Sequence, residues 1–342
     1  MTGFDIKMAL MVALGAFALF YLVTMAGAVR TALGRGETLG GLFASSKAPW
    51  LYLTGAVTNF FDTLGVGSFA TTTAIYRKFR LVPDERIPGT LNIGHTLPTI
   101  VQAYIFTKLV PVEPLTLALM ILAAVVGSYI GSGIVVGWPR QRVQLGMGIA
   151  LTVLALLMFL GVGPDLRTYL DTNYANNGIV TSAEPLLDAL FPRTGWLPSG
   201  GESLELKGSA LAIGLLGNFV LGSLMTIGIG LYAPCMVLIY LLGMTPAAAF
   251  PIMMGSCAFL MPVASYRFVK KDFFDLRAAI GLAIGGIPLT LVAALMVTNF
   301  SVAALKLLVV VVVLYTAYGL LKSARESKLA PIEDGIAPSP VP

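Results

Sequence analysis

The sequence predicts an all-α, polytopic integral membrane protein with two inverted repeats and glycine-broken or re-entrant half-helices. Three observations predict this fold class: an apolar composition, apolar segments long enough to cross a bilayer, and a glycine-rich segment that occurs twice. Of 342 residues, 57% are hydrophobic and 11% are charged, whereas soluble domains carry about 25% charged residues. The net charge of +5 follows from basic loops between spans, so a nucleic-acid partner is not predicted.

Apolar segments of spanning length occur along most of the chain. Met8 to Val29 is interpreted as a retained helix, because its apolar run is long for a signal peptide. Leu115 to Trp138, Val143 to Gly163 and Ala278 to Thr298 each reach the about 20 residues that a spanning helix needs. With further candidates included, we expect roughly seven to eleven spans.

A glycine-rich segment from Thr63 to Ala70 recurs from Thr226 to Ala233, at an offset of 163 residues (226 minus 63). The same offset aligns Pro83 with Pro246. Breaks at corresponding positions in two apolar halves are typical of transporter binding sites. A helix-packing surface is the alternative for either copy taken alone, but it does not explain why the two copies are paired.

Lysine and arginine are concentrated in alternating loops, and these residues collect on the cytoplasmic side of a membrane. The basic clusters are Arg30, Arg35 and Lys47; Arg77, Lys78, Arg80 and Arg86; Arg140 and Arg142; Arg267, Lys270, Lys271 and Arg277; and Lys322, Arg325 and Lys328. The long linker before Gly208 contains more acidic than basic residues. We therefore expect an external N-terminus, a cytoplasmic C-terminus and repeats that start from opposite faces.

These patterns divide the chain into five parts. Residues 1–47 form an N-terminal transmembrane helix and cytoplasmic loop, and residues 48–163 form the first repeat. Residues 164–208 form an extracytoplasmic linker, which is either a plain strap or a small cap. Residues 209–323 form the second repeat, and the proline-rich residues 324–342 form a disordered cytoplasmic tail.

The glycine-rich breaks are the predicted substrate site. A break in a membrane helix is tolerated only where it lines a polar cavity or is covered by protein. The helix that starts after it presents unpaired amides and the positive end of its dipole, which suits an oxyanion. The substrate-binding candidates are Thr63, Gly65, Gly67, Ser68, Thr71, Thr226, Gly228, Gly230, Tyr232, Asn59 and Asn218. The alternatives are hydroxyls bonded to their own helix carbonyls and asparagines that link neighbouring helices.

Asp62 and His95 are titratable residues within apolar sequence and are the candidates for proton coupling. Asp62 precedes the first glycine-rich segment, where it either caps the following half-helix or binds a proton or cation. An ionised aspartate there would compete with an anion. His95 is the single histidine, and its alternatives are a proton relay and a hydrogen-bonded structural residue.

The sequence lacks most signatures of enzymes, metal sites and cofactors, so none of these is predicted. A Ser68 and His95 dyad leaves an intramembrane hydrolase as the catalytic alternative, although no orienting partner is identified for it. Cys235 and Cys257 both lie in apolar sequence and are expected to be buried free thiols rather than a disulfide framework.

Two stretches of the second half carry a family resemblance: Gly228 to Pro234 is a glycine run followed by proline, and Ser265 to Asp272 is a basic helix end. From roughly Trp50 to Ser323 the chain resembles the sulfite exporter TauE/SafE family of membrane permeases. The first copy has Thr71 where the second has proline. The glycines and the proline carry over from the family motif: Gly65, Gly67, Gly228, Gly230 and Pro234.

The resemblance implies a secondary transporter that exports a small sulfur-containing oxyanion, sulfite or an organosulfonate, across a bacterial inner membrane by alternating access. Its partners would be the small anionic substrate and membrane lipid, with a homodimer as one assembly. Coupling to protons is our own hypothesis from Asp62 and His95. A passive anion channel, a carboxylate carrier and a non-catalytic assembly subunit are the remaining alternatives.

Overall fold

The computed structural model describes residues 5–135, 139–161, 166, 170, 201–225 and 230–329. Across these residues the chain forms twelve α-helices and two short 3₁₀ turns, Asp84–Arg86 and Pro246–Ala248. The helices are α1 (Ile6–Gly34), α2 (Leu39–Phe43), α3 (Ala48–Thr63), α4 (Ser68–Lys78), α5 (Ile87–Leu109), α6 (Pro114–Val135), α7 (Arg140–Gly161), α8 (Gly208–Met225), α9 (Tyr232–Leu241), α10 (Ala249–Lys270), α11 (Leu276–Thr298) and α12 (Val302–Leu329).

Six helices of the described ranges are long and apolar enough to cross a membrane, which are α1, α7, α8, α10, α11 and α12. Two shorter apolar helices, Pro114–Ile130 within α6 and Tyr232–Leu241, accompany them. No strand occurs within the described residues, where one isolated bridge joins Ser203 and Met244. The predicted class, an all-helical membrane protein with several spans, is confirmed.

Most of the predicted linker and the end of the predicted tail, residues 330–342, lie outside the described residues. Of the linker, residues 166, 170 and 201–208 are described, and the Glu113 amide donates to the Leu204 carbonyl at 2.8 Å. Helix α12 continues to Leu329, six residues beyond the boundary of 323 that the sequence suggested for the second repeat.

Several helices begin at an acidic cap. The Asp275 carboxylate accepts from the Ala278 amide at the start of α11. The Glu113 carboxylate accepts from the Leu115 and Thr116 amides at the start of α6, at 2.9 Å and 2.6 Å. Partial burial of Glu113 acts to raise the pKa of its carboxyl, but these amide donors outweigh it and the pKa is lowered. Such caps satisfy amides that have no carbonyl partner within the helix.

The two halves use the same helix order and the same helix pairs. Helices α3 to α7 correspond in order to α8 to α12, with starts at 48 and 208, 68 and 232, 87 and 249, 114 and 276, and 140 and 302. The largest contacts join α3 to α11, α6 to α8, α7 to α12 and α5 to α10. If each helix is replaced by its counterpart in the other half, the α3–α11 pair becomes the α6–α8 pair. The α7–α12 and α5–α10 pairs each map onto themselves.

Glycines allow the α3–α11 and α6–α8 pairs to approach until their backbones touch. A Cβ atom added at Gly55 in α3 would lie 2.7 Å from the Gly281 carbonyl oxygen in α11. Gly222 in α8 likewise meets the backbone of Ala124 in α6. Close approach at small residues is the usual basis of helix association in membranes, where burial from water no longer drives packing.

Candidate functional site

Described residues of both glycine-rich segments line one cavity. Its volume is about 90 Å³, and its wall combines the first turn, the described part of the second turn, and side chains of α5, α10 and α12. The lining residues are Asp62, Val66, Gly67, Ser68, Phe69, Thr99, Met225, Gly230, Leu231, Tyr232, Ala233, Cys257, Met261 and Thr316. Helices α4 and α9 both start at this wall, so their first amides lie beside the cavity.

The first turn ends α3 and reverses into α4 through two glycines. The Gly65 amide donates to the Asp62 carbonyl at 2.8 Å, and the Val66 amide donates to the Phe61 carbonyl at 3.1 Å. This is the Schellman pattern, which requires a left-handed residue, and Gly65 has φ of 96°. A Cβ atom at Gly65 would also collide with the terminal methyl of Met236 in α9. Gly65 is therefore explained by the turn and by helix contact.

Gly67 differs from Gly65 because it borders open space. Its φ is 84°, and no atom lies within 4 Å of the position that a Cβ atom would take. In the second turn, Gly230 also has nothing within 4 Å of that position, whereas Thr226 and Gly228 lie outside the described residues. Among the described residues, Gly67 and Gly230 are thus the glycines that line the cavity.

Asp62 places a carboxyl group in the cavity wall, beside the start of α4. It is 2% exposed, and the Gln102 side-chain amide donates to its Oδ2 atom at 3.0 Å. The amide and hydroxyl of Ser68 and the hydroxyl of Tyr232 also face the same carboxylate. Asp62 therefore lies beside the first residue of α4, the position from which one sequence interpretation has it cap that helix. Within the described ranges, its partners are all neutral and none of the ion pairs includes it.

A buried polar network lies behind this wall. Gln102 donates to the Thr63 hydroxyl at 2.8 Å, and that hydroxyl donates to the Asn59 carbonyl at 2.7 Å. The Asn59 side-chain oxygen pairs with His95 Nδ1 at 3.0 Å, and the Thr72 hydroxyl pairs with His95 Nε2 at 3.0 Å. All five residues are fully buried. The network joins α3, α4 and α5 into one hydrogen-bonded unit.

Both ring nitrogens of His95 have neutral partners. The Asn59 amide nitrogen donates to the Gly55 carbonyl, so its oxygen is the acceptor for Nδ1–H and the Thr72 hydroxyl donates to Nε2. These contacts favour the structural interpretation of His95 over a relay. They also leave no ring nitrogen for Ser68, which weighs against the hydrolase dyad.

The structure brings five of the predicted site residues to the cavity and sets the other described candidates apart, while Thr226 and Gly228 lie outside the described residues. The lining residues among the candidates are Asp62, Gly67, Ser68, Gly230 and Tyr232. Thr63, Asn59 and His95 belong to the network behind the wall, and Gly65 contacts α9.

Two further candidates satisfy their polar groups within the helix bundle. The Thr71 hydroxyl donates to the Ser68 carbonyl of its own helix at 2.9 Å, so it follows the back-bonding alternative. Asn218 donates to the Met120 carbonyl at 2.7 Å and joins α8 to α6. Neither residue lines the cavity.

Sequence reasoning missed the contributions of α5, α10 and α12 to the wall. Thr99 and Met261 line the cavity and are neighbours of Pro98 and Pro262, which lie inside α5 and α10. These prolines are 164 residues apart (262 minus 98), close to the offset of the glycine-rich segments. Because proline disrupts a helix's hydrogen bonds, this second pair of breaks was the available signal for both residues.

Comparison of the chain with protein-family models, with curated proteins and with solved structures finds no match.

Proposed function

We propose that this protein is a secondary carrier that exports a small sulfur-containing oxyanion, sulfite or an organosulfonate, through a site between its two glycine-rich turns. The observation that carries the proposal is the cavity bounded by both turns. A solute held there would contact residues of both halves at once. Such a site is the arrangement that alternating access requires, since each half can then close one side of it.

The repeated helix pairing supports an inverted-repeat architecture. The corresponding helices of the two halves keep nearly the same spacing, and the halves pack through pairs that interchange. The basic clusters of the sequence support a placement of the starts of the two halves on opposite faces. We therefore propose inverted repeats with an external N-terminus and a cytoplasmic C-terminus, in a bacterial inner membrane.

The chemistry of the cavity wall supports a substrate that has one anionic group and is otherwise apolar or neutral. Helices α4 and α9 begin at the cavity, and their first amides and positive dipole ends favour negative charge. The hydroxyls of Ser68, Thr99 and Tyr232 add neutral donors, while Phe69 and Met261 supply apolar surface. A volume of about 90 Å³ suits a solute of a few heavy atoms, since a water molecule takes about 30 Å³ in the liquid.

The resemblance to the TauE/SafE permeases supplies the substrate class, and the contacts of His95 support transport over hydrolysis. The decisive experiment is a thermal-unfolding screen of purified protein against sulfite, thiosulfate, methanesulfonate, sulfoacetate and simple carboxylates. A ligand that binds the folded state raises the unfolding temperature by mass action. We expect sulfur oxyanions to stabilise the protein more than carboxylates of similar size do.

Transport by the reconstituted protein separates a carrier from its alternatives. We expect saturable uptake of the stabilising anion into proteoliposomes and accelerated exchange when the same anion is present inside. Uptake without saturation or exchange would indicate a channel. Stabilisation by carboxylates alone would indicate a carboxylate carrier, and no stabilisation by any anion would contradict the proposed function.

A further inference from the structure

The carboxyl group of Asp62 lies in the wall of the proposed anion site, where a negative charge would oppose binding. Asp62 lines the cavity together with the donors expected to bind the anion, Ser68 and Tyr232. An ionised carboxylate in the same cavity wall would repel the anion strongly, because charges inside a protein are poorly screened by water. It would also take the amide and hydroxyl hydrogen atoms of Ser68 that the anion could use.

We propose that Asp62 binds a proton whenever the anion occupies the cavity, so that the protein carries one proton together with each anion. This inference rests on the proposed function and names its coupling ion and the residue that binds it. A protonated Asp62 has no net charge, and its release from Ser68 frees the start of α4 for the anion. The pair that crosses the membrane then carries one negative charge fewer than the anion alone.

The described groups around Asp62 are neutral or weakly acidic, so none of them supplies a fixed positive charge. Helix α5 contributes Gln102 and Thr99, α4 contributes Ser68, and α12 contributes Thr316, which are all neutral. The titratable groups that face Asp62 are the Tyr232 phenol from α9 and the Cys257 thiol from α10. Within the described ranges, no lysine or arginine forms an ion pair with Asp62.

The side-chain amide of Gln102 contains both a donor for the ionised Asp62 carboxylate and an acceptor for the protonated carboxyl group. Its Nε2 atom donates to Asp62 at 3.0 Å, while its Oε1 atom is buried without a hydrogen-bond partner. A buried carbonyl oxygen without a partner is costly. After Asp62 takes up a proton, half a turn of the Gln102 amide would exchange the hydrogen bond from Nε2 to the Thr63 hydroxyl for one from the new O–H group to Oε1. The proton forms one O–H bond on binding and leaves by breaking it, with no change of oxidation state.

The test measures proton uptake when methanesulfonate binds to the purified protein in lightly buffered detergent. Methanesulfonate is the probe because its own acid group stays ionised between pH 5 and 9 in this assay, unlike sulfite. At a pH where Asp62 of the free protein is ionised, we expect about one proton to be taken up per anion bound, and less as the pH falls. Linkage then predicts that the dissociation constant rises about tenfold per pH unit in the range where Asp62 loses its proton.

The matched variants are Asp62→Asn and Asp84→Asn. Asp62→Asn keeps the size of the side chain and removes its titration, so methanesulfonate binding should persist without proton uptake and without pH dependence. Asp84 is exposed and pairs with Arg77 away from the cavity, so Asp84→Asn should behave as the natural protein does. The natural protein alone tests the inference if Asp62→Asn fails to fold.

Binding of methanesulfonate to the natural protein without proton uptake at every pH from 5 to 9, and with a dissociation constant that does not change with pH, would overturn the inference. Retention of pH-dependent binding in folded Asp62→Asn would also overturn it. Failure of every sulfur oxyanion to bind the natural protein would instead contradict the proposed function, so the two failures are distinguishable.

Discussion

The cavity wall and the polar network behind it contain the same kinds of side chain, but these side chains differ in what they contact. In the network, Thr63, Asn59 and His95 are joined by hydrogen bonds of 2.7 to 3.0 Å. In the wall, Ser68 and Tyr232 border the open space of the cavity beside Asp62. The difference teaches that polar residues beside a break have two roles: some hold the turn in place, and others remain available to a ligand.

The two glycines of the first turn test this division most strongly. Gly65→Ala should lower the free energy of unfolding by about 2–5 kcal/mol, because it adds backbone strain and a collision with Met236. Gly67→Ala adds strain but borders open space, so we expect about 1–3 kcal/mol. Thermal unfolding in detergent measures both. A larger loss at Gly67 than at Gly65 would contradict the assignment of Gly65 to helix contact.

Removing His95 should damage stability rather than coupling. His95→Ala leaves the Asn59 oxygen and the Thr72 hydroxyl buried without their partner, and each such group costs about 1–3 kcal/mol. His95→Gln restores part of this hydrogen bonding and should keep the pH dependence of anion uptake into proteoliposomes. Loss of that pH dependence in folded His95→Gln would contradict the structural role and support His95 as a proton relay.

Ser68 and Thr71 are neighbours on α4 that should respond differently. Ser68 lines the cavity, whereas the Thr71 hydroxyl is bonded to its own helix. Removing one hydrogen bond to the anion costs about 1.4 kcal/mol, so Ser68→Ala should weaken binding of methanesulfonate about tenfold. Thr71→Ala should leave the dissociation constant within about twofold. Calorimetry measures both dissociation constants. Equal effects of the two substitutions would contradict the assignment of Ser68, but not Thr71, to the anion site.

The smallest expected effect is a change in stability at Glu113, which does not line the cavity. Its folded-state pKa is lowered, since the amide donors at the start of α6 outweigh the opposing effect of partial burial. Its contribution is therefore present above the unfolded pKa and is lost as pH falls through the lowered folded pKa. Glu113→Gln should lower stability at neutral pH by about 1 kcal/mol or less and remove this acid-side loss. Anion binding should not change, and a change would link the cap to the site.

Composition and the glycine duplication predicted the membrane class and the place of the cavity, because both are properties of long stretches of sequence. The rotation of each helix was beyond prediction. Asp62 and Thr63 are consecutive in α3, yet one lines the cavity and the other joins the network, since successive helix residues point about 100° apart.

The distant parts of the wall were also beyond prediction. Cys257 and Thr316 reach the cavity from α10 and α12, and only tertiary packing brings those helices to the turns. The glycine at Gly65 was expected to contact substrate because it lies within the repeat, whereas its φ and its contact with Met236 explain it without a ligand.

Protection of cysteines from alkylation tests the central claim, that one anion is held by both turns. Ser68→Cys and Gly230→Cys, each made with Cys235 and Cys257 replaced by alanine, put a thiol on either side of the cavity. Thr71→Cys in the same background is the control. We predict that methanesulfonate slows alkylation at positions 68 and 230 with the same half-saturating concentration and does not affect position 71. Protection of only one turn, or different half-saturating concentrations, would contradict a shared site.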